Sequence, residues 1–322
     1  MYADTVVRDK LLHSPKFVAL LTVAATAAVY YLNPLIGPIE TKLPGFVAGL
    51  AEYGMAGRAV LSLAIGVILA LFASFVSRFG DRQQVWIVWV LLTLLLVGFF
   101  YMFNLSATFI RHNIGFLITQ GLWTTLYVSA LSITIASIIA LIAAIAKLSD
   151  SGIARGIANY YTSLFRGLPL LMQIYLIYIG LPQLGYVIDA VPAGIAALSL
   201  CYGAYMTEIF RSGIEAIPRG QWEGARAIGF NPTTTLRRII LPQAIPLVIP
   251  AIGNQFIAML KDSSLISVIG VWELMYLSRT LGNKTFQHME MLVTVSMIYW
   301  LLTISLELIQ SRIEKAYHTG RK

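Results

Sequence analysis

The chain has 322 residues, of which 58% are hydrophobic and only 12% charged, too few polar side chains to coat a water-soluble globule. Its formal charge of +8 does not point to nucleic acid, because the basic residues form no block interleaved with aromatics and sit in short connections between apolar stretches. A bilayer core of about 30 Å takes roughly 20 apolar residues in a helix. Windows of that length run at approximately 17–36, 59–77, 85–105, 121–146, 157–180, 193–214, 239–260 and 290–311. Lipid satisfies no backbone group and the alternation of barrel strands is missing. All eight windows therefore read as helices, giving an all-α polytopic membrane protein with about eight transmembrane helices.

At the start of the chain, Lys10 and Lys16 precede a short apolar run, and Ala25-Thr26-Ala27 offers a small-residue cleavage site, so residues 1–27 carry some marks of a signal peptide. The apolar run continues to Ile36, which favours an uncleaved span. Residues 1–116 form an N-terminal extension with three almost wholly apolar spans, and the polar clusters gather in 117–312, ahead of a short tail at 313–322. With the N-terminus inside, only Lys42, Arg58, Arg111, Lys261, Arg279 and Lys284 of the 23 basic residues fall outside. That bias places both termini in the cytoplasm. The single Cys201 lies inside a span, so no intrachain disulfide forms and the thiol reads as a small buried hydrophobe.

The longest interruptions are 211–238, cytoplasmic on this topology, and 261–289, external. The first is too polar to insert and carries the punctuation of a short helix. Pro218 and Gly220 precede Gln221-Trp222-Glu223-Gly224-Ala225-Arg226-Ala227-Ile228, Gly229 supplies a left-handed stop, and Asn231-Pro232 prevents continuation. Trp222, Ala225 and Ile228 share one face, and a lone helix has no core against which to bury it. The acceptor is expected to be a partner protein, the headgroup layer being the alternative.

Within the spans, Glu208 is a costly carboxylate that needs a partner. Arg211 at i+3 offers a structural ion pair, with substrate contact as the other reading. Pro242, Pro246 and Pro250 recur every four residues and predict a bent helix with carbonyls left unpaired. Asn254 and Gln255 follow the last proline, and with Gln173, Tyr175, Tyr178, Tyr202 and Tyr205 they are candidates for a polar translocation path, against simple interhelical packing for each. No nucleotide-binding Gly-x-x-x-x-Gly-Lys-Ser/Thr occurs, the four histidines lack metal-ligand spacing, and no hydrolase motif is present, so enzyme chemistry is not expected in this chain.

Glu223-Gly224-Ala225, Gly229, Ile239 and Leu241-Pro242 resemble the Glu-Ala-Ala signature of bacterial ABC importer permeases. Phe165-Arg166-Gly167-Leu168-Pro169-Leu170-Leu171, Tyr205-Met206-Thr207-Glu208-Ile209-Phe210-Arg211, Gly220-Gln221 and Leu260-Lys261-Asp262-Ser263-Ser264-Leu265 resemble the polar amino-acid branch of that family. The resemblance, running from about 117 to 312, implies a five-helix type I importer core behind the three extra helices. It implies that Pro218 to Gly229 form the helix that docks on a cytoplasmic ABC ATPase, and that Lys261 and Asp262 are structural. It also implies pairing with a second permease copy or sister permease, an extracytoplasmic amino-acid-binding protein, and a bacterial inner membrane. No cofactor is expected in this chain, ATP and Mg belonging to the partner ATPase. Gly224 stands where the family usually shows Ala, a change that weakens the helix by about 1 kcal/mol. Leu168 and Ser263 stand where Thr is common. The rival functions are an ion-coupled secondary amino-acid transporter, for which neither midplane titratable groups nor inverted repeats are evident, and a non-transporting membrane scaffold.

Overall fold

The computed structural model describes residues 54–319 apart from Met102, together with Val23, Ala24 and Ala27. Apart from those three residues, the first expected span, 17–36, lies outside the described residues, as do 320–322 of the expected tail. The chain divides into two compact units, residues 1–105 and 106–322.

In the first unit, α1 (Gly54–Val76) and α2 (Asp81–Tyr101) cover the second and third expected spans. Asp81 complements the positive end of α2, and Gln84 reaches back to donate to the Phe79 carbonyl at 2.6 Å. None of the α2 side chains is buried, which is what a lipid-facing sequence of uniform hydrophobicity requires.

The second unit is built from helices alone among its described residues. Its first element is a long rod: α3 (Ala107–Phe116), a π-helical turn at Leu117–Leu122, and α4 (Trp123–Leu148). The rod packs along α8 (Ala190–Glu215) through small residues on both faces, Ser129, Ser132, Ala136, Ala140 and Ala144 against Ala193, Ala197, Cys201 and Ala204. Lipid offers no hydrophobic incentive for helix association, so close backbone approach and the dispersion it brings must hold these helices together. Gly203 and Gly213 mark the tightest places, where a Cβ would collide with the Tyr161 hydroxyl and with Val248.

The expected span 157–180 is not one helix. It is α5 (Gly152–Gly167) and α6 (Leu170–Tyr175), the latter continued by a π-helical turn and α7 (Leu181–Gln183), with a 106° bend between Gly167 and Leu170. Pro169 forces its predecessor out of the helical region, and Leu168 accordingly sits at φ −95°, ψ 137°. Mean hydropathy runs straight across such a break, which is why a window count cannot see it.

After α8 come the short helices α9 (Arg219–Ala227) and α10 (Pro232–Thr235), a π-helical turn at Leu236–Ile240, and α11 (Leu241–Asp262). Pro242 occupies the first turn of α11, and the helix runs on through Pro246 and Pro250 in its interior. Around Pro250, the Gln310 amide donates to the Pro250 carbonyl at 3.0 Å.

The segment expected as an external connection, 261–289, instead folds back into the bundle. A 3-10 helix, Ser263–Ile269, ends at left-handed Gly270 (φ 85°), and α12 (Leu274–Thr285) follows before α13 (His288–Thr319). Ser263, Ile266, Glu273 and Leu274 are fully buried. The rod accommodates this return at Gly121, whose missing side chain leaves room for Leu274, and the Leu274 amide donates to Thr125 Oγ1 at 3.4 Å. The helix α13 also runs past the expected boundary at 312.

Among the described residues, five helices are long and apolar enough to cross a bilayer, or six if the bent pair is one span. They are Asp81–Tyr101, Ala107–Leu148, Ala190–Glu215, Pro232–Ile269 and His288–Ala316. The second expected span survives as α1, whose described apolar part, Leu63–Val76, is shorter.

Candidate functional site: an exposed helix and a cleft at a helix break

Pro218, with extended ψ 139°, starts α9, and Gly229 stops it at φ 81°. The stop is a Schellman motif: Phe230 N–H donates to Ala225 O and Gly229 N–H to Arg226 O, both at 3.0 Å. Asn231 then caps α10 by accepting the Thr234 N–H at 2.8 Å. The expected bounds of this helix therefore coincide with its stop signals.

Its orientation is a correction. Of the three apolar residues expected to face a partner, Ala225 is buried at 2% exposure and Trp222 packs inward on Ile214, Ile217, Ile240 and Ala244, leaving only Ile228 outward at 67%. The apolar face is covered by this chain's own core. What faces outward is Gly220, Glu223, Gly224 and Ala227, a ridge at i, i+3, i+4, i+7, flanked by exposed Gln221 and Arg226. Gln243 Nε2 joins α9 to α11 by donating to Gln221 Oε1 at 3.2 Å and to Ile239 O at 2.7 Å.

Glu208 accepts from Lys147 Nζ at 2.6 Å and from Arg211 Nε at 2.9 Å, with Arg166 Nη1 at 3.7 Å; Arg211 also pairs with Glu215 at 2.6 Å. Sequence spacing found Arg211 but not Lys147, which lies on another helix. Lys147, Arg166 and Glu208 of this network line a cleft of about 460 Å³ with Asn159, Thr162 and Ser163.

A second cleft, about 380 Å³, opens at the α5–α6 break and is lined by Arg166 to Leu170, Cys201, Tyr202, Tyr205, Gln255 and Asp262. The Tyr202 hydroxyl donates to Asp262 Oδ2 at 2.7 Å, and the Arg166 guanidinium carbon lies 5.5 Å from the Tyr205 ring centre. Tyr202 is near the midpoint of Ala190–Glu215, and its hydroxyl reaches Asp262, an exposed residue at the end of α11. Lys261 is exposed.

The other path candidates are dispersed. Gln173 is buried and donates from Nε2 to Phe165 O and Leu168 O, both at 2.9 Å, bracing the break from within. Tyr175 lines a separate cleft with Ser267, Tyr276, Arg279 and Asn283. Tyr178 packs against the main core. Asn254 accepts from Gln310 Nε2 at 3.1 Å on an exposed surface. Glu273, which sequence reading passed over, is fully buried and caps α12 by accepting from Met275 N–H at 2.7 Å, Tyr276 N–H at 2.6 Å and the Tyr299 hydroxyl at 2.9 Å. An acid directly before a helix is the signal that was available for it. Among the described residues, no group of three or more His, Cys, Asp or Glu side chains is placed to hold a metal ion.

The chain is 38% identical over 199 residues to the arginine transport system permease protein ArtQ of Bacillus subtilis, covering 62% of this chain and 91% of that protein. It is 36% identical over 200 residues to the L-cystine transport system permease protein TcyB of the same organism, covering 62% and 86%. A crystal structure of an amino acid ABC transporter with histidines matches 66% of this chain and 99% of its own, at 34% identity and TM-score 0.61. The methionine ABC transporter MetNI in an inward-facing form shares the fold at 20% identity and TM-score 0.55, over 63% of this chain and 96% of its own. The family model for the binding-protein-dependent transport system inner membrane component matches residues 136–319. With its polytopic helical fold and these permease relatives, the chain belongs to the family of binding-protein-dependent transport system inner membrane components.

Proposed function

We propose that this chain is the membrane-spanning permease subunit of an ATP-driven importer for polar or charged L-amino acids, with both termini in the cytoplasm. The observation that carries the reading is α9, an amphipathic helix anchored on its inner side by Trp222 and Ala225 and presenting Gly220, Glu223, Gly224 and Ala227 outward. A rigid ridge of small residues around one carboxylate suits a protein surface that must approach the backbone closely. A cytoplasmic ABC ATPase carrying ATP and Mg docks there, a second permease copy or a sister permease completes the pathway, and an extracytoplasmic amino-acid-binding protein delivers the cargo. The relatives named above, an arginine and an L-cystine permease, support the cargo class. Eight spans in all, three of them preceding the family core, remain the preferred topology.

Glu223→Lys reverses the charge on the ridge, and Gly229→Val forces a branched residue into the left-handed region, where L-residues lose roughly 1–2 kcal/mol. Both variants are expected to reach the membrane in normal amount but to lose uptake and to recover less ATPase subunit on co-purification. Normal uptake with normal ATPase recovery in both would remove α9 from the coupling mechanism.

One observation favours the ion-coupled rival: Asp262 lines a cleft among the helices, where a gradient-driven transporter could use a titratable group. Proteoliposomes separate the two. Uptake that needs ATP and ignores an imposed proton or sodium gradient supports the importer, and the reverse supports the rival.

A further inference from the structure

A cleft of about 800 Å³ lies where the last turn of α4 meets α9 and α10. Ile145, Leu148, Trp222 and Leu236 give it apolar walls, and the only charged residues lining it are Asp150 and Arg226. Both are exposed, and neither has an ion-pair partner among the described residues. The candidate span Ala107–Leu148 ends at this cleft and the candidate span Pro232–Ile269 begins there, so it stands where the hydrocarbon core gives way to headgroups. Deeper along α4, Ile138 and Ile142 are 58% and 64% exposed and share a face with Ile145 at i, i+4, i+7. An apolar stripe thus leads from the cleft toward the middle of the bilayer. A soluble ligand would leave that stripe uncovered, whereas an acyl chain follows it.

We propose that this cleft seats a phospholipid with a primary ammonium in its headgroup, phosphatidylethanolamine, its phosphate on Arg226, its ammonium on Asp150 and a chain along Ile138, Ile142 and Ile145. Arginine presents a planar set of donors that matches phosphate oxygens. The Asp150 carboxylate opposes a headgroup of net negative charge and pairs best with an N–H donor, which a choline group lacks. Trp222 is a single aromatic, not the cage that a quaternary ammonium takes. Trp222 is also the anchor of α9 on Ile214, Ile217, Ile240 and Ala244, so a headgroup seated against it braces α9. That bracing bears on ATP hydrolysis only through the importer reading, on which the lipid site itself does not depend.

The test takes the complete complex with its ATPase in mild detergent, stripped of lipid, and offers it equal amounts of radiolabelled phosphatidylethanolamine, phosphatidylcholine and phosphatidylglycerol. Wild type is expected to retain phosphatidylethanolamine over each of the others by about tenfold, the worth of one charge-assisted hydrogen bond. Asp150→Asn is expected to lose that preference, and Arg226→Gln to retain less of all three lipids. Glycerophosphoethanolamine, the headgroup without chains, is expected to displace the lipid only in large excess. Equal retention of the three lipids by wild type, or an unchanged preference in Asp150→Asn, overturns the site. Displacement by glycerophosphoethanolamine at the lipid's own concentration overturns the lipid in favour of a soluble ligand. In nanodiscs, substrate-stimulated ATP hydrolysis by wild type is expected to be faster with phosphatidylethanolamine than with phosphatidylcholine. Equal rates alongside selective retention overturn the bracing of α9 and leave the lipid site standing.

Discussion

Two stretches interrupt the apolar run of this chain, 211–238 and 261–289, and they do opposite things with similar polarity. The first leaves the bundle and presents Gly220, Glu223, Gly224 and Ala227 outward on α9. The second returns to it, burying Ser263, Ile266, Glu273 and Leu274. What separates them is where the polar groups find partners. On α9, Glu223 and Arg226 remain exposed, whereas the Glu273 carboxylate is consumed by two amides and a tyrosine hydroxyl. A polar segment between spans is thus not the same as a solvated one, because its buried polar groups take their hydrogen bonds from the protein rather than from water.

The comparison breaks most readily at Glu273. Glu273→Ala leaves the part-buried Met275 and Tyr276 amides without their side-chain acceptor, at up to about 1–3 kcal/mol each, and a detergent-solubilised sample is expected to show a Tm lowered by several degrees. A Tm equal to wild type would mean that the segment is not a packed part of the bundle.

A pH series sharpens the same point with a smaller effect. Desolvation pushes the Glu273 carboxyl up to about 7, against the lowering pull of the Met275 and Tyr276 amides and the Tyr299 hydroxyl. The folded protein therefore holds this proton more tightly than the unfolded chain, whose carboxyl titrates near 4.5. The contribution is fully present below about 4.5 and lost as pH rises through about 7. Thermal-shift measurements between pH 5 and pH 8 should show Tm falling with pH in wild type and a shallower slope in Glu273→Gln. An unaltered slope would assign the dependence to other groups.

The smallest effect is expected on the outward segment. No atom lies within 4 Å of a Cβ placed on Gly224, so Gly224→Ala should stabilise α9 locally by about 1 kcal/mol. Hydrogen exchange of the α9 amides would slow while the global Tm stays put. A lower recovery of the ATPase subunit in this variant would show that the docking surface needs the bare glycine backbone.

How much of this was legible depended on whether the determining signal is local. The α9 bounds were legible because Pro218 and Gly229 act through their own backbone angles. The Glu208–Arg211 pair was legible from i+3 spacing, while Lys147 was not, since a helix packed alongside brings it there from 61 residues away. The direction of the α9 apolar face required Ile214 and Ile240, neither of which the helix sequence can reveal. The break at Pro169 carried a local signal, but an averaging window that scores apolarity alone discards it. The Arg166 and Asp262 cleft needed that break together with the midpoint of α8 and the end of α11, three positions that only the fold assembles.

The link between α8 and α9 is just Ala216, Ile217 and Pro218, and Ile217 is itself clamped in the core that Trp222 joins. Such a joint has no slack. A displacement applied to α9 cannot be absorbed by extending a loop, so it must turn or slide α8, and α11 with it through Ile240 and Ala244. The Tyr202 to Asp262 hydrogen bond bridges those same two helices, from the middle of α8 to the end of α11. No flexible segment therefore intervenes between α9 and the hydrogen bond that joins α8 to the end of α11.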